Sequence, residues 1–375
     1  MSKKLLAVGT AIASCLFPLS ARAATFEALN IFGDSLVDSG NLFNLTSTFA
    51  DQGIPALPPS PPYAQKNSNG PIWIDNVGQS LELSPTLITD ILLDPTTSAP
   101  TQGINYAFAG ALSSDIHILD SAVPPLADAL PGFQDQVATA AAIASIAPLS
   151  PDALNVVWVG SNDYNEAFFS PDSLQGLTLE QLPNFVTDNV INGITQLHSL
   201  GAKSFLVPNL PPIGDAPVAD FLDAQAQQDI SSVLNQLSTA HNELLSAKLS
   251  AFGQSQPDTN IITLDINTLI KDILANPDEF GLTNVTDACL INFQPGFLFE
   301  GICDNPDQFL FWDDVHPTTA AYEIVSDFAL AALSEGKAPT SVPEPTSLAT
   351  LLLMGAIGTS TLVKRRIRQA LNTRH

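Results

Sequence analysis

Three features of this 375-residue chain predict an α/β domain, a mostly parallel sheet covered by helices on both faces in a three-layer α/β/α sandwich. Short β-branched or aromatic runs alternate with longer segments of helical spacing. No repeat or low-complexity tract interrupts them. The composition, 45% apolar with a mean hydropathy of +0.19, provides for one large core.

Five runs read as strands: residues 26–32, 104–108, 155–159, 203–207 and 260–265, which predicts a five-stranded sheet. Helical spacing covers 133–146, 179–200, 218–252 and 318–334. Strands separated by helices are joined by crossovers, so the pairing is parallel and both faces are covered. The proline-rich stretch 54–63 is a loop, because proline cannot donate to a ladder. Trp73 behind it is read either as part of a cleft wall or as a buried anchor.

Ser35 follows the first apolar run directly, in Phe32-Gly33-Asp34-Ser35-Leu36. The carboxyl ends of strands in an open α/β sheet border the ligand crevice, so a hydroxyl there can meet a substrate. Near the other end, Asp313-Asp314-Val315-His316-Pro317 supplies an imidazole with a carboxylate three residues before it, the two partners that a serine nucleophile needs. Asp314 is assigned to solvent or the turn. Pro317 suits the first position of the helix that follows. His117, His198, His241 and His375 have no flanking acid in a recognisable block, and no G-x-S-x-G elbow occurs.

Charge narrows the partners. Residues 25–340 hold five lysines and no arginine against 37 of the 38 acidic residues, a formal charge of 5 − 37 = −32. Such a surface repels polyanions, and no nucleic acid partner is expected.

Both ends read as processing signals. Lys3 and Lys4 precede an apolar stretch and then Ala21-Arg22-Ala23, so residues 1–23 are expected to be a signal peptide cleaved after Ala23. Ile12-Ala13-Ser14-Cys15 resembles a lipoprotein box, although apolar residues continue past the cysteine. Residues 341–375 combine Val342-Pro343-Glu344-Pro345, an apolar run over 348–363 and Lys364-Arg365-Arg366. The run is marginal for a transmembrane helix, which wants about 20 apolar residues, and its basic flank would stay cytoplasmic. In its three-part order the segment resembles the PEP-CTERM sorting signal of bacteria. That resemblance implies exosortase-type sorting machinery as a partner, with transient anchoring in the inner membrane before release or attachment at the cell surface. A plain tail anchor is the alternative.

With Cys15 removed, Cys289 and Cys303 remain as an even pair in an oxidising compartment and are expected to form a disulfide. The bridge would close a loop of about fifteen residues, worth roughly 3 kcal/mol in the loop-entropy account. It would also brace the loop leading to Asp313 and His316. No His or third Cys lies at ligand spacing, so no metal site is expected.

Four blocks in order, 32–41 (FGDSLVDSGN), 105–111 (NYAFAGA), 160–163 (GSND) and Asp313-x-x-His316-Pro317, resemble those of the GDSL or SGNH hydrolases. Pro61-Pro62-Tyr63, 68–73 and 207–214 are similar to the secreted esterase and phospholipase-like branch. The resemblance implies a flavodoxin-like SGNH fold over the domain at 24–340. It implies an exported serine esterase or lipase acting on ester or lipid substrates through an acyl-enzyme, without metal or organic cofactor. It assigns Ser35, Asp313 and His316 to catalysis, and the backbone N–H of Ser35, the backbone N–H of Gly110 and the Asn162 amide to an oxyanion hole. Asp38, Asn41 and Asp163 are expected to brace turns. Ala109 stands where much of the branch has a first glycine. Two alternatives stay open: an acyltransferase with an alcohol acceptor, and a non-catalytic surface-binding protein on the same scaffold.

Overall fold

The computed structural model describes residues 26–335 apart from 95, 98–99, 121–122, 124–125, 127–128, 146–147, 171–175 and 295. The signal peptide and the C-terminal sorting segment read from the sequence lie outside these residues, as do both limits of the 24–340 domain.

The central sheet has six strands, β1 (Ala28–Gly33), β2 (Thr86–Leu87), β3 (Ile104–Asn105), β4 (Ala153–Trp158), β5 (Ser204–Pro208) and β6 (Asn260–Leu264), in the order β2-β3-β1-β4-β5-β6. Every pairing in it is parallel. Five of the strands were legible in the sequence. The sixth, β2, corrects the predicted count: two residues after Pro85 are too short to show any period. β3 stops at Asn105 because its side chain takes the Ala107 N–H at 2.9 Å.

Alternation along the strands sorts the core into two layers. Leu29, Ile31, Leu154, Val156 and Leu206 face α2 (Trp73–Ser80), α9 (Ile266–Ala275) and α10 (Thr319–Glu335). Phe32, Val157, Phe205 and Val207 face α4 (Phe133–Ala144), α6 (Leu182–Ser199) and α8 (Ile230–Ser255). A further apolar cluster joins α5 (Ser161–Phe169) and α7 (Pro217–Ala226) to α6 and α8. Helices α1 (Asn41–Ser47) and α3 (Ile88–Leu93) sit beside the β2 edge.

Two helix expectations needed correction. The segment 218–252 is two helices: Gln227 adopts φ 52° and Asp229 caps α8 through Ser232 N at 2.9 Å, while Asp223 accepts the Ile230 and Ser231 N–H groups. α10 begins at Thr319, so Pro317 precedes the helix; Thr318 Oγ1 accepts the Ala321 N–H at 3.2 Å as its cap.

Between β6 and α10 the chain builds a side structure. β7 (Asn284–Ala288) pairs parallel with β10 (Phe309–Phe311), and β8 (Leu290–Ile291) pairs antiparallel with β9 (Gly301–Ile302). Cys289 and Cys303 are joined in a disulfide across this hairpin. The Cys289 and Leu290 N–H groups donate to Phe311 and Trp312 carbonyls at 3.0 and 2.8 Å, so the hairpin braces the chain just before Asp313.

Candidate active site

Parallel register carries three loops to one edge of the sheet. Gly33 at the end of β1 pairs with Trp158 at the end of β4, and β3 runs on the other side of β1. The turn after β1 needs glycine at 33: φ is +149°, and a Cβ would meet the Trp158 carbonyl oxygen at 2.0 Å. Gln136 on α4 clamps the Gly33 peptide groups, accepting its N–H and donating to its C=O, each at 2.8 Å. Leu36 N–H then donates to the Asp34 carboxylate, and Val37 and Asp38 N–H to the Asp34 carbonyl. The N–H of Ser35 takes no part in this network.

Hydrogen bonds tie the blocks side by side. Asp38 accepts the N–H groups of Gly40, Asn41 and Leu42 and, at 2.8 Å, that of Ala109. Asn41 donates to the Asn105 and Ala107 carbonyls at 2.9 Å. From the first turn of α5, Asn162 Nδ2 donates to the Ala111 carbonyl at 3.0 Å, and Asp163 holds both the N–H and the hydroxyl of Ser113. Gly110 thus sits between a residue tied to the first block and one tied to the third.

His316 joins this edge from the loop before α10. Its Nε2 lies 2.8 Å from Ser35 Oγ, and its Nδ1 lies 2.8 and 2.9 Å from the two oxygens of Asp313. Asp313, 1% exposed, also accepts the Val315 and His316 N–H groups at 2.9 and 2.7 Å and the Tyr63 hydroxyl at 2.7 Å. Burial would raise the Asp313 carboxyl, but the His316 charge and these donors outweigh it and hold the group below its usual range. For His316 burial lowers the ring, and the charge and hydrogen bond of Asp313, helped by Asp314 and Asp34, more than reverse it. The imidazole therefore sits above its ordinary value. Asp34 is pushed up to about 7 by burial, only partly offset by the Leu36 N–H. Asp314 is half-buried in the turn, and burial with the adjacent Asp313 charge raises it to about 7.

Ser35, Asp313 and His316 are brought into hydrogen-bonded sequence, with Gly110, in the loop after β3, and Asn162, in the first turn of α5, in the two neighbouring segments. Tyr63 was missed as a site residue. Its signal was Pro61-Pro62-Tyr63, but nothing local says that a phenol will meet a carboxylate 250 positions away. Burial and the Asp313 charge keep that phenol protonated, so it donates. Trp73 proves to be an anchor, fully buried with Nε1 donating to Leu36 O at 2.9 Å. His198 and His241 lie elsewhere, beside Lys203 and Asp258 and against Tyr164, and His375 lies outside the described residues. No group of three or more metal-ligating side chains occurs among the described residues.

A cavity of about 70 Å³ opens beside Ser35 and Asn162 and runs between Ile213, Val218, Ile266, Ile270, Leu310 and Val325. Asp34 Oδ2, Trp158 Nε1, Ser161 Oγ, Asn165 Oδ1 and Tyr322 OH, on residues lining it, are buried without a protein partner.

A hydroxyl, an imidazole and a carboxylate in series at the crevice edge of a parallel sheet define a hydrolytic class of enzyme. The chain belongs to the GDSL-like lipase/acylhydrolase family, whose model matches residues 29–328. It is a carboxylic ester hydrolase. Relatives include two Arabidopsis thaliana GDSL esterases/lipases. One is 28% identical over 80% of this chain and 87% of its own, and the other, APG, is 28% identical over 84% and 92%. Solved structures that it is similar to include a lipolytic G-D-S-L family protein from Veillonella parvula, 14% identical over 81% of this chain and 96% of that one with a TM-score of 0.37. Another is the acetylxylan esterase Axe2 from Geobacillus stearothermophilus, 13% identical over 83% and 95%, TM-score 0.38.

Proposed function

We propose that this protein is an exported serine esterase that works through an acyl-enzyme on Ser35. The observation that carries the reading is the unbroken series Ser35 Oγ, His316 Nε2, His316 Nδ1, Asp313, with contacts of 2.8 Å between hydroxyl and ring and between ring and carboxylate. A serine hydroxyl is a poor nucleophile near neutral pH, so His316 takes its proton as Oγ bonds to the ester carbonyl carbon. Asp313 accepts the Nδ1 proton, which leaves the lone pair on Nε2 facing Ser35. The carbonyl oxygen becomes an oxyanion, met by the N–H groups of Ser35 and Gly110 and by the Asn162 amide; donors aimed at developing charge supply the largest catalytic contribution in such sites. The tetrahedral intermediate collapses, the C–O bond to the alcohol breaks, and His316 returns the proton to the departing oxygen. Water then repeats the sequence on the acyl-enzyme.

The apolar cavity beside Ser35 suits the acyl half of the substrate. The acyl group stays on Ser35 from the departure of the alcohol until water releases it as the acid, so it is the part of the substrate that an apolar cavity beside Ser35 would hold longest. Its volume is several times the ~10–15 Å³ that one water needs, enough for a short chain. Export is supported by the signal-peptide pattern of residues 1–23 and by the disulfide, which belongs to an oxidising compartment. In this reading the PEP-CTERM-like segment holds the protein transiently in the inner membrane until sorting.

Ser35→Ala tests the reading. Turnover of a chromogenic ester and labelling by an organophosphate should both vanish at an unchanged melting temperature; wild-type turnover in this variant would sink the proposal. Running the same assay with a competing alcohol separates hydrolysis from acyl transfer.

A further inference from the structure

We propose that His117 is a positioning residue for the oxyanion hole, holding the Ala109–Gly110 peptide so that the Gly110 N–H points at the developing charge. This rests on the reading of Gly110 as an oxyanion donor. The His117 ring is buried, with Nε2 2.7 Å from the Ala109 carbonyl oxygen and Nδ1 3.1 Å from the Leu119 nitrogen. A backbone N–H can only donate, so the lone pair is on Nδ1 and the proton on Nε2. The ring therefore donates to Ala109 C=O.

That carbonyl and the Gly110 N–H belong to one planar trans peptide and point in opposite directions. Fixing the oxygen against His117 turns the N–H to the opposite edge of the peptide, away from the ring. The neighbouring groups are held independently: Ala109 N–H by Asp38, Gly110 C=O by Ile118 N–H at 3.1 Å, and Ala111 C=O by Asn162. The orientation of the plane between Ala109 and Gly110 is left to His117. Glycine at 110 lets the ring this close, since with φ +93° a Cβ would meet a His117 ring carbon at 2.8 Å. A donor on the carbonyl also polarises the peptide and strengthens its N–H. Burial lowers the ring to about 4, so it stays neutral near neutral pH and keeps the Nε2 proton.

Two substitutions separate positioning from mere packing. His117→Gln places an amide donor near the Nε2 position, whereas His117→Asn keeps an acceptor near Nδ1 for Leu119 and loses the donor to Ala109. On a chromogenic ester, His117→Asn should lower kcat by up to about 10²-fold, the loss that a misplacement of about 1 Å produces in a catalytic group, with KM within about twofold. His117→Gln should recover most of kcat. If bracing Leu119 were the only role, the order would reverse. Wild-type kcat in His117→Asn, while Ser35→Ala is inactive, overturns this inference and leaves the esterase reading standing; activity in Ser35→Ala overturns that reading itself. Should either variant fail to fold, nitrogen NMR of the wild-type protein decides. The His117 ring must be protonated on Nε2, and the Gly110 amide proton must move downfield when a boronic acid forms its tetrahedral adduct with Ser35. The other tautomer, or an unmoved Gly110 amide, rejects the proposal.

Discussion

Asp313 meets four donors, and His316 answers to the charge that results. Because the His316 pKa is raised, its acid limb of activity should lie above the ordinary histidine value of about 6.5. Activity should fall as pH drops through that limb, since a protonated ring cannot take the Ser35 proton. A pH profile of kcat/KM checks this; a limb near pH 5 would place the ring in a different environment. Tyr63 sets the position of the limb. Its hydroxyl absorbs part of the Asp313 charge, so Tyr63→Phe leaves a stronger pull on the imidazolium and should move the limb upward, by up to about one pH unit for a charged hydrogen bond of ~1.5 kcal/mol. A downward move would mean that Tyr63 acts on something other than Asp313.

At the scale of elements, the side structure at β7–β10 holds the loop that carries the imidazole. The disulfide spans a sequence separation of 14 and ties β8 to β9, while β8 hydrogen-bonds to the chain just before Asp313. Cys289→Ala with Cys303→Ala should therefore cost about 3 kcal/mol. Calorimetry should show a melting temperature lower by about 5 °C, since the unfolding entropy of a domain of about 300 residues is roughly 0.65 kcal/mol per degree. Activity per folded molecule should fall as well, because the loop tethered to Phe311 and Trp312 loosens. An unchanged melting temperature would show that packing around Leu290 and Trp312 holds the loop without the bridge.

The whole molecule is dominated by negative charge. Of the four lysines among the described residues, Lys66, Lys203 and Lys248 are already paired with Asp75, Asp258 and Asp188. The remaining carboxylates repel one another over distances comparable to the Debye length, about 10 Å at 0.1 M salt. Raising ionic strength from 0.01 to 0.5 M should increase the melting temperature, and a decrease would show that the ion pairs outweigh the repulsion. All the proposed catalytic residues precede Glu335, the last residue of α10. Deleting residues 341–375 should consequently give an exported, soluble and active esterase, and mass spectrometry of the full-length protein's mature C-terminus should find no peptide beyond Pro345. Persistence of residues 348–363 in the mature protein would make the segment an ordinary anchor. Among the described residues, no helix is long and apolar enough to cross a membrane.

The alternation of strand and helix and the five strands other than β2 were legible in the sequence, because periodicity and turn chemistry are local properties, whereas the blocks around Gly110 and Asn162 were singled out only by their resemblance to a known family. The strand β2 and the break at Gln227 escaped because each depends on partners supplied by another segment: β3 for the strand, and the Asp223 carboxylate across the turn for the break. The same holds at the site. Residue types and spacing designate Asp313 and His316, but only tertiary packing brings Tyr63 to Asp313, Gln136 to Gly33 and His117 to the Ala109 carbonyl. Those contacts span from 8 to 250 positions and belong to side chains whose neighbours carry no catalytic pattern. Their roles come from buried polar groups requiring partners, and which partner answers is decided only when the loops are packed together.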